Sequence, residues 1–333
     1  MKKLEFGIKP EFVWSYSKLR LFQTCKKAYY LQYIKRPRAK IHTIGPLAMG
    51  SFLHKKVETF YTGRRFKSAE TYANAMKGQW LHLTKENEEN ESYIYGNRIK
   101  WFNDRERFWL AKDIKDISTI LYSNYINKDP PISTEYKFNF IIGHREFEGN
   151  IDEIRQNYII RDHKTDKKQP SQATLNSDLQ FTFYALAFCC ISRLDKKFAL
   201  KHGVTEGDIE TFGGNPNYIS DKVTIEYHHM KTGEIPKTKR TNKHFEDLCS
   251  ILDDTEDKIR RNEFIPNLSN CYRCRYDEIC DRKLPELREP YSSKSYMFKP
   301  KSQQLYLFTP LQQKEKIRTK NLRIRFPRKR KAA

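Results

Sequence analysis

The chain has 333 residues, room for about two domains and for a buried core. Lys and Arg number 63 against 41 Asp and Glu, and the formal charge of +22 suits a polyanionic partner, nucleic acid first. Hydrophobic residues make up 38%, too many for a chain disordered throughout, yet no apolar run is long enough to span a bilayer and none follows Met1–Glu5 as a secretory signal would.

Ser15 and Ser17 are N-cap candidates, and Leu19, Phe22, Tyr29 and Tyr33 follow at helical spacing, which predicts a helix over Lys18–Tyr33. A second helix is expected over Leu47–Tyr61. Residues 64–130 read as a helical insert, interrupted by a solvated acidic loop at Glu86–Glu91 and stopped by Pro130-Pro131. The period then changes to two. Tyr136–Phe140, Phe147–Ile151 and Tyr158–Ile160 read as three successive strands with turns at Gly143-His144 and Gln156-Asn157. A helix at Asp178–Ile191, a strand at Val223–Tyr227 and a charged amphipathic helix at Asn242–Arg261 complete a mixed α/β domain over residues 1–291. Residues 292–333 lack core-building periodicity and form a linear basic tail. No phosphate-binding G-x-x-x-x-G-K-[ST] loop occurs, so unwinding of nucleic acid would fall to a separate helicase.

The chemistry concentrates in Gly149-Asn-Ile-Asp152 and Asp162-His-Lys164-Thr165. Strand side chains alternate, so Asp162 and Lys164 share a face and His163 points away. A short turn between the strands can set Asp152 beside Asp162. Two adjacent carboxylates repel unless a cation sits between them. A lysine beside that cation can orient or deprotonate a water and steady developing charge, the equipment of metal-assisted phosphodiester hydrolysis. A solvated D-x-K on a strand edge is the competing reading. Gly50 and His54 lie one helical turn apart, so that a close approach at Gly50 would let His54 reach a metal; a satisfied interior histidine is the alternative. Gln180 and Tyr184 repeat that spacing on the helix after the strands.

The order G-x-x-x-H, G-x-[IL]-D, D-x-K-T, Q-x-x-x-Y resembles the PD-(D/E)xK nuclease superfamily, in its RecB/AddB-type branch. That branch includes the CRISPR adaptation nucleases with an iron–sulfur cluster. Ser15-Tyr-Ser17-x-Leu19-x-x-Phe22-x-x-Cys25 is similar to the opening of the branch, with Lys26 where proline is common. The resemblance covers residues 14–282, apart from 63–130. It implies a restriction-endonuclease-like core, a mixed sheet flanked by helices. It also implies Mg²⁺ or Mn²⁺ on His54, Asp152, Asp162 and the carbonyl of His163, with Lys164 assisting the attacking water. Gln180 and Tyr184 would brace the site or the DNA.

Seven cysteines without an export signal point to a metal or cluster rather than to disulfides. Cys271-x-x-Cys274 with Cys280 has metal-ligand spacing, whereas Cys189, Cys190 and Cys249 fall in helices and read as core. The resembled branch takes its fourth ligand from the first helix, the position of Cys25, and so implies a [4Fe–4S] cluster on Cys25, Cys271, Cys274 and Cys280 that closes the domain. Spacing alone admits a structural Zn²⁺ equally.

In the tail, Gln304-Leu305-Tyr-Leu307-Phe308 resembles the pentapeptide with which bacterial replication proteins dock on the sliding clamp. Residues 314–331 then carry ten Lys or Arg and one Glu, a segment suited to phosphates without sequence preference. The function expected is a metal-dependent deoxyribonuclease, an exonuclease on DNA ends or single strands. Its setting would be the cytoplasm of a bacterium or phage-infected cell. A non-catalytic nucleic-acid-binding or recruitment protein on the same scaffold is the alternative, and the intact His54, Asp152, Asp162 and Lys164 set argues against it. A zinc-binding transcription factor would leave the strand-end carboxylates unexplained.

Overall fold

Between Ser133 and Lys164 three strands form one continuous antiparallel meander, and every other element takes its place from it. The computed structural model describes residues 10–37, 42–61, 66–125, 128–211 and 221–282. The clamp-like peptide and the basic tail lie outside the described residues.

In chain order the elements begin with β1 (Phe12–Trp14), α1 (Tyr16–Thr24), α2 (Lys26–Tyr29) and a π-helical turn at Tyr30–Lys35. There follow β2 (His42–Ile44), α3 (Gly45–Phe60), α4 (Ala69–Leu83), β3 (Ser92–Ile94), β4 (Asn97–Lys100) and α5 (Glu106–Tyr125). The meander is β5 (Ser133–Ile142), β6 (Arg145–Arg155) and β7 (Ile159–Lys164). After it come α6 (Gln172–Ser177), α7 (Leu179–Leu194), α8 (Lys196–Lys201), α9 (Glu206–Thr211), β8 (Thr224–His229), β9 (Lys237–Thr238) and α10 (Asn242–Arg260). A 3₁₀ turn at Leu268–Arg273 leads into the cysteine segment.

The main sheet has six strands and is mixed, as expected. β6 is its hub. β5 runs antiparallel along one edge of it, while the other edge is shared by β1, parallel, and β7, antiparallel. The connection from β7 to its parallel neighbour β8 passes through helices, as a parallel pair requires. Among them is α7, whose Phe181, Phe183, Ala185, Leu186, Ala187 and Phe188 are all buried in the main core, with Phe140, Phe147, Ile151 and Ile160 of the sheet. A helix apolar on every side is stable only inside a core.

Two expectations need correction. The helix predicted over Lys18–Tyr33 is interrupted at Cys25, whose backbone is extended (φ −159°, ψ 107°). The insert is not wholly helical either. β3 and β4 form a hairpin that β2 joins, making a second, three-stranded sheet against a second core around Phe52, Trp80, Ile114 and Met230. Those strands are three or four residues long, too short for alternation to register. Of the insert's tryptophans, Trp80 is fully buried and Trp101 packs against this core, whereas Trp109 is exposed.

Candidate metal centre and cysteine cluster

The turn after β6 fixes the site. Its ladder pairs Glu153 with Arg161 and Ile154 with Ile160, so one step further Asp152 and Asp162 are cross-strand neighbours. The main-chain N–H of His163 donates to Asp152 Oδ2 at 2.8 Å, which holds that carboxylate against β7. From α3, His54 Nδ1 lies 3.3 Å from the same oxygen. Lys164 Nζ lies 2.6 Å from Asp162 Oδ2. Gln180, on the first turn of α7, joins the rest. Its Oε1 accepts from Lys164 at 2.8 Å, and its Nε2 donates to Asp162 Oδ1 at 3.0 Å and to the Tyr184 hydroxyl at 2.8 Å. The sequence-derived set of His54, Asp152, Asp162, Lys164, Gln180 and Tyr184 thus meets in one place.

His163 is different. Its ring lies on the other face, with Nδ1 2.9 Å from His228 Nδ1 and Nε2 3.2 Å from Glu153 Oε1. It is the main-chain N–H of His163, not its ring, that bonds Asp152. The role given to Gly50 also changes. A Cβ there would meet Thr165 Oγ1 at 3.4 Å, an ordinary contact, so no close approach at Gly50 explains the position of His54. The closer approach is at Gly149, where a Cβ would stand 2.5 Å from the Phe138 ring that crosses it from β5.

One participant was missed. Glu135 is in register with Asp152, between the pairs Thr134–Glu153 and Tyr136–Ile151. Its backbone is left-handed (φ +48°) in mid-strand, which a non-glycine residue adopts only under constraint. His54, Glu135 and Asp152 bring their ligand atoms within 4.8 Å of one another.

Electrostatically the centre is short of positive charge. Burial pushes the Asp162 carboxyl up to about 6 even with Lys164 beside it, and Asp152 adds to the rise. Burial and Asp152 likewise raise Glu135. Asp152 goes the other way: burial disfavours its charge, but His54 outweighs burial and holds it low. Burial disfavours the His54 cation too, yet Asp152 pushes the imidazole up to about 9. For Lys164 burial works against the ammonium, and Asp162 and Asp152 more than offset it, so Lys164 is a cation here rather than a base. Two carboxylates and an imidazole around one point, with Asp162 beside them on Lys164 and Gln180, form a donor set for a hard divalent ion, which would supply the missing charge.

The centre opens into a cleft of about 820 Å³ whose lining includes Arg20, Leu47, Lys55 and Tyr95 besides the residues above.

The four predicted cysteine ligands come together from segments far apart in the sequence, Cys25 from near the start of the described chain and the other three from near its end. Cys25, at the break between α1 and α2, accepts through Sγ from Asn267 N–H at 3.3 Å, and Cys274 Sγ accepts from Tyr276 N–H at 3.4 Å. Burial raises the Cys274 thiol, and the thiols of Cys25, Cys280 and Cys271 add to the rise. A small apolar cluster of Ala28, Leu31 and Tyr276 backs them. The adjoining Asp277 and Glu278 are tied to the small sheet by Lys100 at 2.7 Å and Arg98 at 3.2 Å. Cys189, Cys190 and Cys249 sit apart in α7 and α10.

A search of curated proteins finds no match. Among solved structures, one described as "Putative exonuclease" from Eubacterium rectale is similar over 87% of this chain and 91% of its own, at 12% identity and a TM-score of 0.35. The model of the PD-(D/E)XK nuclease superfamily matches residues 13–281, from β1 to the last cysteine of the cluster segment. That span takes in the strand-borne aspartates and the lysine two residues on, and the chain belongs to the PD-(D/E)XK nuclease superfamily.

Proposed function

We propose that this nuclease is a divalent-metal-dependent deoxyribonuclease of the RecB/AddB-type branch, acting as an exonuclease on DNA ends or single strands. The observation that carries the reading is the joint placement of His54, Asp152 and Glu135 around one point, with Asp162, Lys164 and Gln180 hydrogen-bonded beside it. Mg²⁺ or Mn²⁺ would be held by His54, Asp152 and Asp162, with Glu135 as a further carboxylate and the main-chain carbonyl of His163 as another ligand. When bound, the ion supplies a polarised phosphoryl oxygen and a more acidic water. The chain does the rest. Lys164 presents its ammonium to the charge that grows on the phosphoryl group. Gln180 fixes the position of that ammonium and of Asp162, and Tyr184 fixes Gln180. The Tyr184 hydroxyl, kept neutral by burial, braces the site rather than the DNA.

Cys25, Cys271, Cys274 and Cys280 are proposed to hold a [4Fe–4S] cluster. The N–H groups donated to two of the sulfurs suit cluster thiolates. Four sulfurs on one tetrahedral Zn²⁺ would lie about 3.8 Å apart, given Zn–S bonds of about 2.3 Å. A structural Zn²⁺ on the same four thiols is the alternative. The domain so closed runs over 1–291. Its tail is proposed to add a sliding-clamp tether through Gln304, Leu305, Leu307 and Phe308 and a phosphate-binding basic segment, in the cytoplasm of a bacterium or phage-infected cell, with a separate helicase where unwinding is needed. Digestion of end-labelled DNA with and without Mg²⁺ tests the activity.

A further inference from the structure

The β3–β4 hairpin turns through Tyr95 and Gly96, both at positive φ (48° and 81°). Such a two-residue turn favours Asn-Gly or Asp-Gly, because its first residue must be left-handed. Here a tyrosine occupies that position. It is 51% exposed, so its ring does not repay the strain by burial in the core. Strain of this kind, maintained where packing does not require it, marks a position with another use.

The ring's location gives that use. Tyr95 lines the same cleft as His54, Asp152 and Lys164. Lys55 and Glu58, on the turn of α3 just after His54, are close enough to act on it electrostatically. Leu47, on the first turn of α3, lines the cleft as well and is 61% exposed. Arg20 and Lys55 bring cations to the same lining, Lys55 in an ion pair with Glu58 at 2.6 Å. An exposed aromatic ring and an exposed leucine beside cations match what single-stranded nucleic acid needs, a flat surface for a base and positive charge for the backbone. A paired base inside a duplex has no free face to offer at such a ring, since its neighbours cover both faces. The cleft's 820 Å³ also lies in the range of sites for ligands of drug size, room enough for nucleotides of one strand.

We propose that Tyr95, held out by the strained hairpin turn and seconded by Leu47, is a base-stacking platform that makes single-stranded DNA the substrate of the centre beside it. The proposal rests on the nuclease reading above, since it takes the cleft to be the path of the scissile strand.

The test uses the full chain and a labelled oligothymidylate, with a blunt duplex as comparison. Binding is read by fluorescence anisotropy in Ca²⁺ and cleavage in Mg²⁺. Tyr95→Asn suits the left-handed turn, so its melting temperature should equal or exceed that of the parent. Its affinity for the single strand should nevertheless fall by about ten-fold, the scale of one lost base stack, with little change for the duplex. Tyr95→Phe should retain single-strand affinity, and Leu47→Ala should lose part of it. Wild-type single-strand affinity in Tyr95→Asn, or an equal loss on both substrates, would overturn the proposal. Asp162→Asn is the control for the parent reading. If it cleaves like the wild type, the nuclease assignment fails, while the anisotropy result still decides the role of Tyr95.

Discussion

Glu135 stands directly opposite Asp152 across the β5–β6 ladder, in a left-handed backbone conformation that interrupts its strand. The strain places a second carboxylate beside the His54–Asp152 pair. Glu135→Gln keeps the shape and removes the charge. We expect Mn²⁺ affinity to fall by about ten-fold or more, as for other supports of a metal site, with the melting temperature unchanged. Calorimetric titration of Mn²⁺ checks this; an unaltered affinity would place Glu135 outside the metal's reach.

The far end of β6 carries a buried charge network that ties three parts of the fold together. Glu256 of α10 accepts from Trp14 Nε1 at 2.7 Å, from Arg145 Nε at 2.6 Å and from His144 Nε2 at 3.0 Å. Burial disfavours its charge, but His144 and Arg145 outweigh burial and hold its carboxyl below the usual range. A carboxyl depressed on folding stabilises the protein above its unfolded pKa, and that stabilisation is lost as pH falls through the folded value. The melting temperature should therefore decline below about pH 4.3, the ordinary glutamate value. Glu256→Gln should cost about 3 kcal/mol near neutral pH by leaving Arg145 buried with an incomplete partner, and should flatten the acid limb. Thermal melts of both proteins from neutral to acid pH decide the matter.

Protein purified without oxygen should be brown and contain iron and sulfide in near-equal amounts. Cys25→Ala should lose the colour and much of the solubility, because the ligand set joins the first helical segment to the last described one. A colourless, active protein with stoichiometric zinc would sink the cluster.

The tail peptide from Ser302 to Pro310 should bind a bacterial sliding clamp with affinity on the micromolar scale, since burying three apolar side chains is offset in part by ordering costs. Leu307→Ala with Phe308→Ala should remove this binding and leave cleavage of free oligonucleotides intact. Calorimetry showing no binding of the unaltered peptide removes the replication link.

The alternation of Tyr136–Phe140 and Phe147–Ile151 made the meander legible, and the turn at Gln156-Asn157 set its register. Asp152 and Asp162 could thus be placed side by side, because a strand's faces follow from parity alone. His163 was correctly sent to the other face by the same rule. Glu135 was not legible: its contribution depends on a left-handed conformation in mid-strand, and nothing local in Ser133–Tyr136 encodes it. The break at Cys25 was hidden for a similar reason, since helical periodicity continues on both sides of it. Tyr95 escaped notice because the hairpin around it is too short to show a period and lacks the expected Asn-Gly. All three positions set local propensity against the tertiary structure, and all three adjoin the proposed sites.

The central claim is that Asp162 and Lys164 serve metal-dependent cleavage of DNA. It is tested most directly by digesting end-labelled linear, nicked and circular DNA with and without Mg²⁺, using the wild type and Asp162→Asn. Asparagine preserves the shape of a side chain that is fully buried against Lys164, so the fold should persist and DNA binding, which rests on Lys and Arg, should survive. The account predicts Mg²⁺-dependent shortening of the linear substrate from its ends, protection of the circle, and a loss of at least about a hundred-fold in Asp162→Asn, the scale of removing one charge-stabilising group. Cleavage by Asp162→Asn at the wild-type rate, or wild-type cleavage indifferent to Mg²⁺, would contradict it.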